Sequence, residues 1–301
     1  MRKLFALMLA LAFGLQNCAP EKADETAERQ IATEMALAWN GLMLELERHT
    51  TGFRPPVSAR TFAYIQMAAY EASLPNLEGY ASLEHFLPGY STAQPPIPAA
   101  QFYLPAALNI AYAQGLRDFF PTAPKNLKEK IDRLEAKHAH SFDKKIGTQK
   151  IEKSVAYGKA VSKAVWRWSA TDEEGHDAFL FNYDRDYVPP VCTGCWQPDK
   201  THPLPALLPN WGNTRAFVVQ PEEVEIKAPI DFDETPGSAF HTGAVEVYSL
   251  SQPLSRENRW IAELWSDDLP GLTLTPAGRW IAIANQALAR SEEHTSELQS
   301  H

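Results

Sequence analysis

The chain has 301 residues, 45% of them hydrophobic and 11% aromatic, which is enough to bury a core and too apolar for a disordered chain. Its formal net charge of -9, with no basic stripe anywhere along it, argues against nucleic acid as a partner.

Read from the N-terminus, Arg2 and Lys3 precede an apolar run from Leu4 to Leu15, short for a membrane span and the right size for a secretory h-region. The run closes on Leu15-Gln16-Asn17-Cys18, the Leu-x-x-Cys form of a bacterial lipidation site, with Asn17 where a smaller residue usually stands. Residues 1–18 are therefore expected to be an export signal, with lipidated Cys18 anchoring the mature chain in the periplasm or at the outer membrane. An ordinary cleaved signal with an incidental Cys18 stays open beside it. The polar residues 19–30 are then a short tether.

From there the pattern is helical. Ile31, Met35, Trp39, Leu42, Met43 and Leu46 recur at three and four residues and share one face. A second helix is predicted from about Ser58, as N-cap, to Ser73. A loop through Pro95, Pro96 and Pro98 leads to an Ala-rich helix that Pro121 and Pro124 end near Phe120. Leu127, Ile131, Leu134, His138, Phe142 and Ile146 mark a long amphipathic helix. Its basic residues (Lys125, Lys128, Lys130, Arg133, Lys137, Lys144, Lys145) are interrupted by acids and read as a solvated face. Ile151, Val155, Val161, Val165 and Trp168 mark the next helix. Residues 171–236 then form a long loop region whose prolines and tryptophans suggest an ordered, packed excursion. Helical period returns at Trp260, Ile261, Leu264 and Trp265, closed by Pro270 and Gly271. Thr275-Pro276 opens a last helix as N-cap and first-turn proline. No strand run or internal repeat interrupts this order, so one all-α domain is expected, with Trp39, Trp166, Trp168, Trp260, Trp265 and Trp280 in its core.

Cys192 and Cys195 form a lone Cys-x-x-Cys in a Pro-rich loop. No second ligand pair accompanies them for zinc, and the loop is not the strand-to-helix turn of a redox site. A small structural disulfide is expected, with two free thiols or thiol redox chemistry as the other readings. No nucleophile elbow, zinc-protease motif, phosphate loop or dinucleotide fingerprint is present. His138 and His140, two apart on a helix, cannot share a metal. Asp231, Asp233 and Glu234, like Asp184 and Asp186 around Arg185, read as solvated loop carboxylates, and Asp267-Asp268 as a helix end turned to solvent. Arg54 and Arg60 invite an anionic site, although a structural role for paired arginines is the expectation.

Several segments resemble the bacterial vanadium-haloperoxidase-like proteins, which share a superfamily with the type 2 phosphatidic acid phosphatases. They are Arg54 to Tyr64 with Met67 to Ala72, Tyr187 to Pro198, Pro209 to Gly212, Ser238 to Tyr248, Trp260 to Asp268, and Thr275 to Trp280. The resemblance implies a helical bundle that grips vanadate or phosphate and acts on a small or anionic substrate, by halide oxidation with peroxide or by phosphoester hydrolysis. In that family the anion is held through a Lys seven residues before Arg-Pro, then Pro-Ser-Gly-His, then Ser-Arg followed six residues later by His. Here Arg54-Pro55 has Glu47 at the Lys position, Pro236-Gly237-Ser238 with His241 has the letters out of order, and Ser255-Arg256 is followed by Ala262. No catalytic, cofactor-binding or metal residue is thus carried over.

The last residues, Arg290 to His301 (RSEEHTSELQSH), lack the apolar period of the helix before them and look like the translation of a sequencing-library adapter, in which every complete codon matches and the leftover base begins a His codon. The expectation is an incomplete bundle over residues 31–289, a foreign tail over 290–301, and catalytic motifs beyond Ala289. Such a chain would be inactive and prone to aggregate through an uncovered apolar face. The rival expectation is a non-catalytic helical surface lipoprotein.

Overall fold

The computed structural model describes residues 19–95, 97–201, 203–266 and 271–299. Cys18 with the rest of the expected export signal, Pro96, Asp267, Asp268, Pro270 and the end of the adapter-like tail lie outside the described residues.

The first helix, α1 (Ala19–His49), buries the residues its periodicity selects: Met35, Trp39, Leu42, Met43 and Leu46 are each at most 7% exposed, whereas Ile31 faces solvent. The stretch expected to be a tether is helical. It is rich in Ala, Glu, Lys and Arg, all strong helix formers, and Glu28 accepts hydrogen bonds from Asn76 Nδ2 (2.9 Å) and the backbone N–H of Leu104 (2.7 Å).

Helix α2 (Pro55–Ser73) starts three residues earlier than Ser58 suggested. Pro55 and Pro56 fit the first turn, where no N–H partner is needed. Arg54 takes the cap position, and Ser58 turns its hydroxyl back to donate to Phe53 O at 3.2 Å.

Helix α3 (Leu104–Phe119) is buried nearly all round and contacts α1, α2, α4 (Lys125–Ser141) and α5 (Thr148–Ser169). Against α5 the approach is very close. A Cβ added to Gly158 would lie 2.2 Å from the carbonyl oxygen of Ala107, so only glycine admits this crossing. Helix α4 stops short of the predicted Ile146. Asp143 accepts from Lys145 N at 2.9 Å and caps a single 3-10 turn, and Gly147 at φ 84° redirects the chain into α5.

A polar chain crosses the bundle. Tyr112 Oη donates to Gln66 Oε1 (2.9 Å), Gln66 Nε2 to Asn40 Oδ1 (2.6 Å), and Asn40 Nδ2 to Asn285 Oδ1 (3.0 Å). It ties α3, α2 and α1 to the last helix, α9 (Pro276–Gln299). That helix opens as predicted, with Thr275 Oγ1 accepting from Gly278 N at 3.2 Å. Its backbone continues helical into the adapter-like residues.

The excursion after α5 begins with the short α6 (Glu173–His176) and packs in part. Leu208, Trp211 and Phe217 rest on the core, and the Arg215 guanidinium stacks 4.5 Å over Trp168, whereas Val188, Val191 and Trp196 are exposed. Among the described residues there is no strand, only an isolated bridge between Tyr183 and Leu207.

The tryptophan expectation divides. Trp39 and Trp168 are core residues, but Trp260, Trp265 and Trp280 are 60–67% exposed and Trp166 is 37% exposed. Helices α7 (Ala239–Leu250) and α8 (Arg256–Trp265) bury no residue at all. Their apolar period is real, but no described helix packs across it. Burial requires a partner surface, which an amphipathic pattern cannot supply by itself.

Candidate functional site

Where α1 ends, the chain turns through residues 50–54 into α2. Gly52 takes φ 95° there, and its Cα faces the backbone so closely that an added Cβ would sit 1.9 Å from Phe179 O. Asn182 locks the turn from outside, donating through Nδ2 to Gly52 O (2.9 Å) and Ala178 O (2.8 Å). The segment 271–275 before α9 closes the other side, held by Arg48 Nη2 donating to Gly271 O at 2.9 Å and by Thr275 Oγ1 donating to Glu47 Oε1. Between them lies a cleft of about 370 Å³ lined by Glu47, Arg48, Thr50, Arg54, Tyr183 and Thr273, among others.

Glu47 sits at the back of this cleft, 4% exposed. Burial pushes its carboxyl above the usual glutamate range, and the hydroxyl of Thr275 pulls it only part of the way back. Among the described residues, its Oε2 has no hydrogen-bond partner, and neither have Thr50 Oγ1 and Thr273 Oγ1. The first turn of α9 presses against it: a Cβ on Gly278 would come 2.7 Å from Oε2.

The folded state therefore holds the Glu47 proton more tightly than the unfolded chain does. Its contribution to stability is full below the ordinary value of 4.5 and is lost as pH rises through the raised value. Glu47→Gln keeps the shape and removes the ionisation, so urea unfolding across that window is expected to show a shallower loss of stability in the variant. An unchanged slope would assign the pH dependence to other groups.

The residues singled out in the sequence do not converge on this cleft, apart from Arg54. Arg60 is a structural arginine: its Nε and Nη2 donate to Asp172 Oδ2 at 2.9 and 2.7 Å, and its guanidinium lies 4.4 Å over Tyr64. Cys192 and Cys195 are joined as a disulfide, Cα atoms 5.2 Å apart, in an exposed loop. Asp233 is engaged by the backbone of Thr235 and Asp184 by that of Asp186. His138 lies against Trp39, its ring nitrogen Nε2 without a hydrogen-bond partner among the described residues, while His140 Nδ1 faces Ala136 O at 2.6 Å. Among the described residues no three His, Cys, Asp or Glu side chains gather to hold a metal. Thr50 and Thr273 were not legible as site residues. They are 223 positions apart and meet only because Arg48 and Glu47 draw the segment before α9 onto the end of α1.

At the positions compared with the vanadate-holding pattern, the described residues differ from it. A buried acid, Glu47, stands where the family pattern needs a Lys. Ser238 is occupied as the cap of α7, accepting from His241 N at 3.1 Å and donating to Asp233 O at 2.6 Å, and Ser255 caps α8 through Asn258 N.

No protein-family model and no curated protein sequence matches the chain. Among solved structures it is similar to the first bacterial vanadium-dependent iodoperoxidase, with a TM-score of 0.67 and 22% identity. The match covers 86% of this chain but 62% of that one, less than two thirds of the iodoperoxidase. Over the shared span, the all-α fold of this chain is that of the iodoperoxidase.

Proposed function

We propose that this chain is the N-terminal part of an exported vanadium haloperoxidase-like enzyme whose oxyanion site is completed by residues beyond Ala289. The observation that carries this reading is the likeness to an iodoperoxidase of which the chain spans 62%. The apolar residues of α7, α8 and α9 left in solvent, among them Trp260, Ile261, Leu264, Trp265 and Trp280, support it, because such a stripe is the normal inner face of a larger bundle. In the complete protein vanadate would supply the activation of peroxide for halide oxidation, or phosphate would occupy the same place in a phosphoesterase. An anionic or small-molecule substrate follows in either case. Export to the periplasm or outer membrane through the N-terminal signal, with Cys18 as the lipid anchor, belongs to the same proposal.

The first test is to resequence the source DNA across the codons for Ala289 and Arg290. A frame running on into a Lys seven residues before Arg-Pro, then Pro-Ser-Gly-His, supports the proposal, and the extended protein is then assayed with vanadate, peroxide and iodide. Phosphoester hydrolysis without halide oxidation would assign it to the phosphatases. A genuine stop after these codons would leave a helical surface lipoprotein with no catalytic centre and would overturn the enzyme reading.

A further inference from the structure

The Cys192–Cys195 disulfide closes a ring around only Thr193 and Gly194. A cross-link stabilises a fold mainly by restricting the unfolded chain, and the effect grows with the length of the loop it closes. So short a ring contributes little to holding the bundle together. It is also open to attack: Cys192 is exposed and Cys195 half-buried, and exchange with a thiol needs access to a sulfur. Its position carries the consequence. Cys195 N donates to Cys192 O at 3.2 Å, Gly194 takes φ 77°, and the turn lies flat on Phe232, since a Cβ on Gly194 would come 2.7 Å from Phe232 Cβ and Cγ. Phe232 in turn meets Phe240 in the first turn of α7, ring centroids 4.7 Å apart. Helix α7 buries no residue of its own, so its hold on the rest of the chain leans on such contacts.

We propose that Cys192 and Cys195 form a thiol–disulfide exchange site whose redox state sets how firmly α7 is held. The thiolate of an external dithiol attacks Cys192 Sγ and forms a mixed disulfide as the Cys192–Cys195 bond breaks. Cys195 leaves as a thiolate and takes a proton. The second thiolate of the reductant then attacks the reductant's own sulfur in the mixed disulfide, and Cys192 leaves and is protonated in the same way. The dithiol departs oxidised, having given up two electrons and two protons. With the staple open, the turn is free to lift from Phe232, and the row of contacts from the turn through Phe232 to Phe240 loosens at its outer end. Two intervening residues keep the thiols close, so an oxidised dithiol closes the ring by the same steps reversed. The inference does not depend on the proposed function, which uses neither cysteine.

The test uses the full chain and dithiothreitol, without denaturant. Differential alkylation with peptide mapping follows Cys192 and Cys195, and hydrogen–deuterium exchange follows peptides from α7 and, as a reference, from α3. Both cysteines are expected to become alkylated, and oxidised dithiothreitol to restore the bond. Amides of α7 are expected to exchange about threefold or more faster in the reduced protein, with those of α3 unchanged. The double variant Cys192→Ser, Cys195→Ser is expected to show the faster α7 exchange in both buffers; if it does not fold, the parent chain in the two buffers decides alone. Cysteines that react only in denaturant would overturn the proposal. So would reduction that leaves α7 exchange as it was. Reduction that speeds α3 as much as α7 would show a staple of the whole fold and would overturn it too.

Discussion

Asp172→Ala is expected to lower the unfolding free energy by about 3–5 kcal/mol, the usual penalty for stranding one member of a buried ion pair. Asp172 and Arg60 have side chains only 3% and 7% exposed and meet at 2.7 Å. The pair is built into its surroundings. Arg60 Nη2 also donates to Tyr64 Oη and Ser169 O, both at 3.2 Å, and Asp172 Oδ1 accepts from Gly175 N at 3.4 Å to cap α6. A Cβ on Gly175 would lie 2.3 Å from Arg60 Nε, so the backbone of α6 packs directly against the guanidinium. A domain of ordinary stability, about 5–15 kcal/mol, would lose a large share of it. Denaturant unfolding measures the effect. Asp172→Asn keeps the cap and loses the charge, so a loss for Asn close to that for Ala places the energy in the ion pair. A loss under about 1 kcal/mol for Ala would mean that Arg60 finds solvent by a route the packing does not show.

Trp39→Ala is expected to be as damaging, about 3–5 kcal/mol, by opening a cavity at the centre of the bundle. Trp39 is fully buried, stacks on Tyr112 with ring centroids 6.2 Å apart, and donates through Nε1 to Asn109 Oδ1 at 3.0 Å. Asn109 in turn donates to Glu135 O at 3.0 Å, so one indole N–H connects α1 to α3 and α4. Trp39→Phe separates the two contributions. It fills most of the volume but leaves Asn109 Oδ1 without its donor, at a cost of about 1–3 kcal/mol. Equal losses for Phe and Ala would show that the hydrogen bond outweighs the packing; a Phe variant as stable as the parent would show that the bond contributes nothing net.

The helices were legible because their faces are periodic and their ends carry proline. Met35, Trp39, Leu42, Met43 and Leu46 lie where a 3.6-residue period puts them, and Thr275-Pro276 starts α9 as its residue types require. Ser58 misled as a cap because a serine before an apolar run competes with two prolines that are better suited to the first turn. The exposure of Trp260, Trp265 and Trp280 was not legible for a different reason: period fixes which residues share a face, and tertiary structure decides whether anything covers it. The cleft was hidden more deeply still. Nothing marks Thr50 or Thr273 in the sequence, and Glu47 drew notice only as the wrong residue for a lysine position. What makes them a group is a long-range joint, Arg48 to Gly271 and Thr275 to Glu47, that no local pattern encodes.

The contact of Gly158 with Ala107 sets the alignment of the two central helices along their length. Sliding α5 by a single position would bring Tyr157 or Lys159 onto the Ala107 carbonyl, where even a methyl group does not fit. Apolar side chains tolerate such slippage, because one greasy contact can replace another; a backbone carbonyl set against a missing side chain does not. The glycine thus works as a keyway, and the selection of one alignment over its neighbours falls to a residue that contributes almost no buried area of its own.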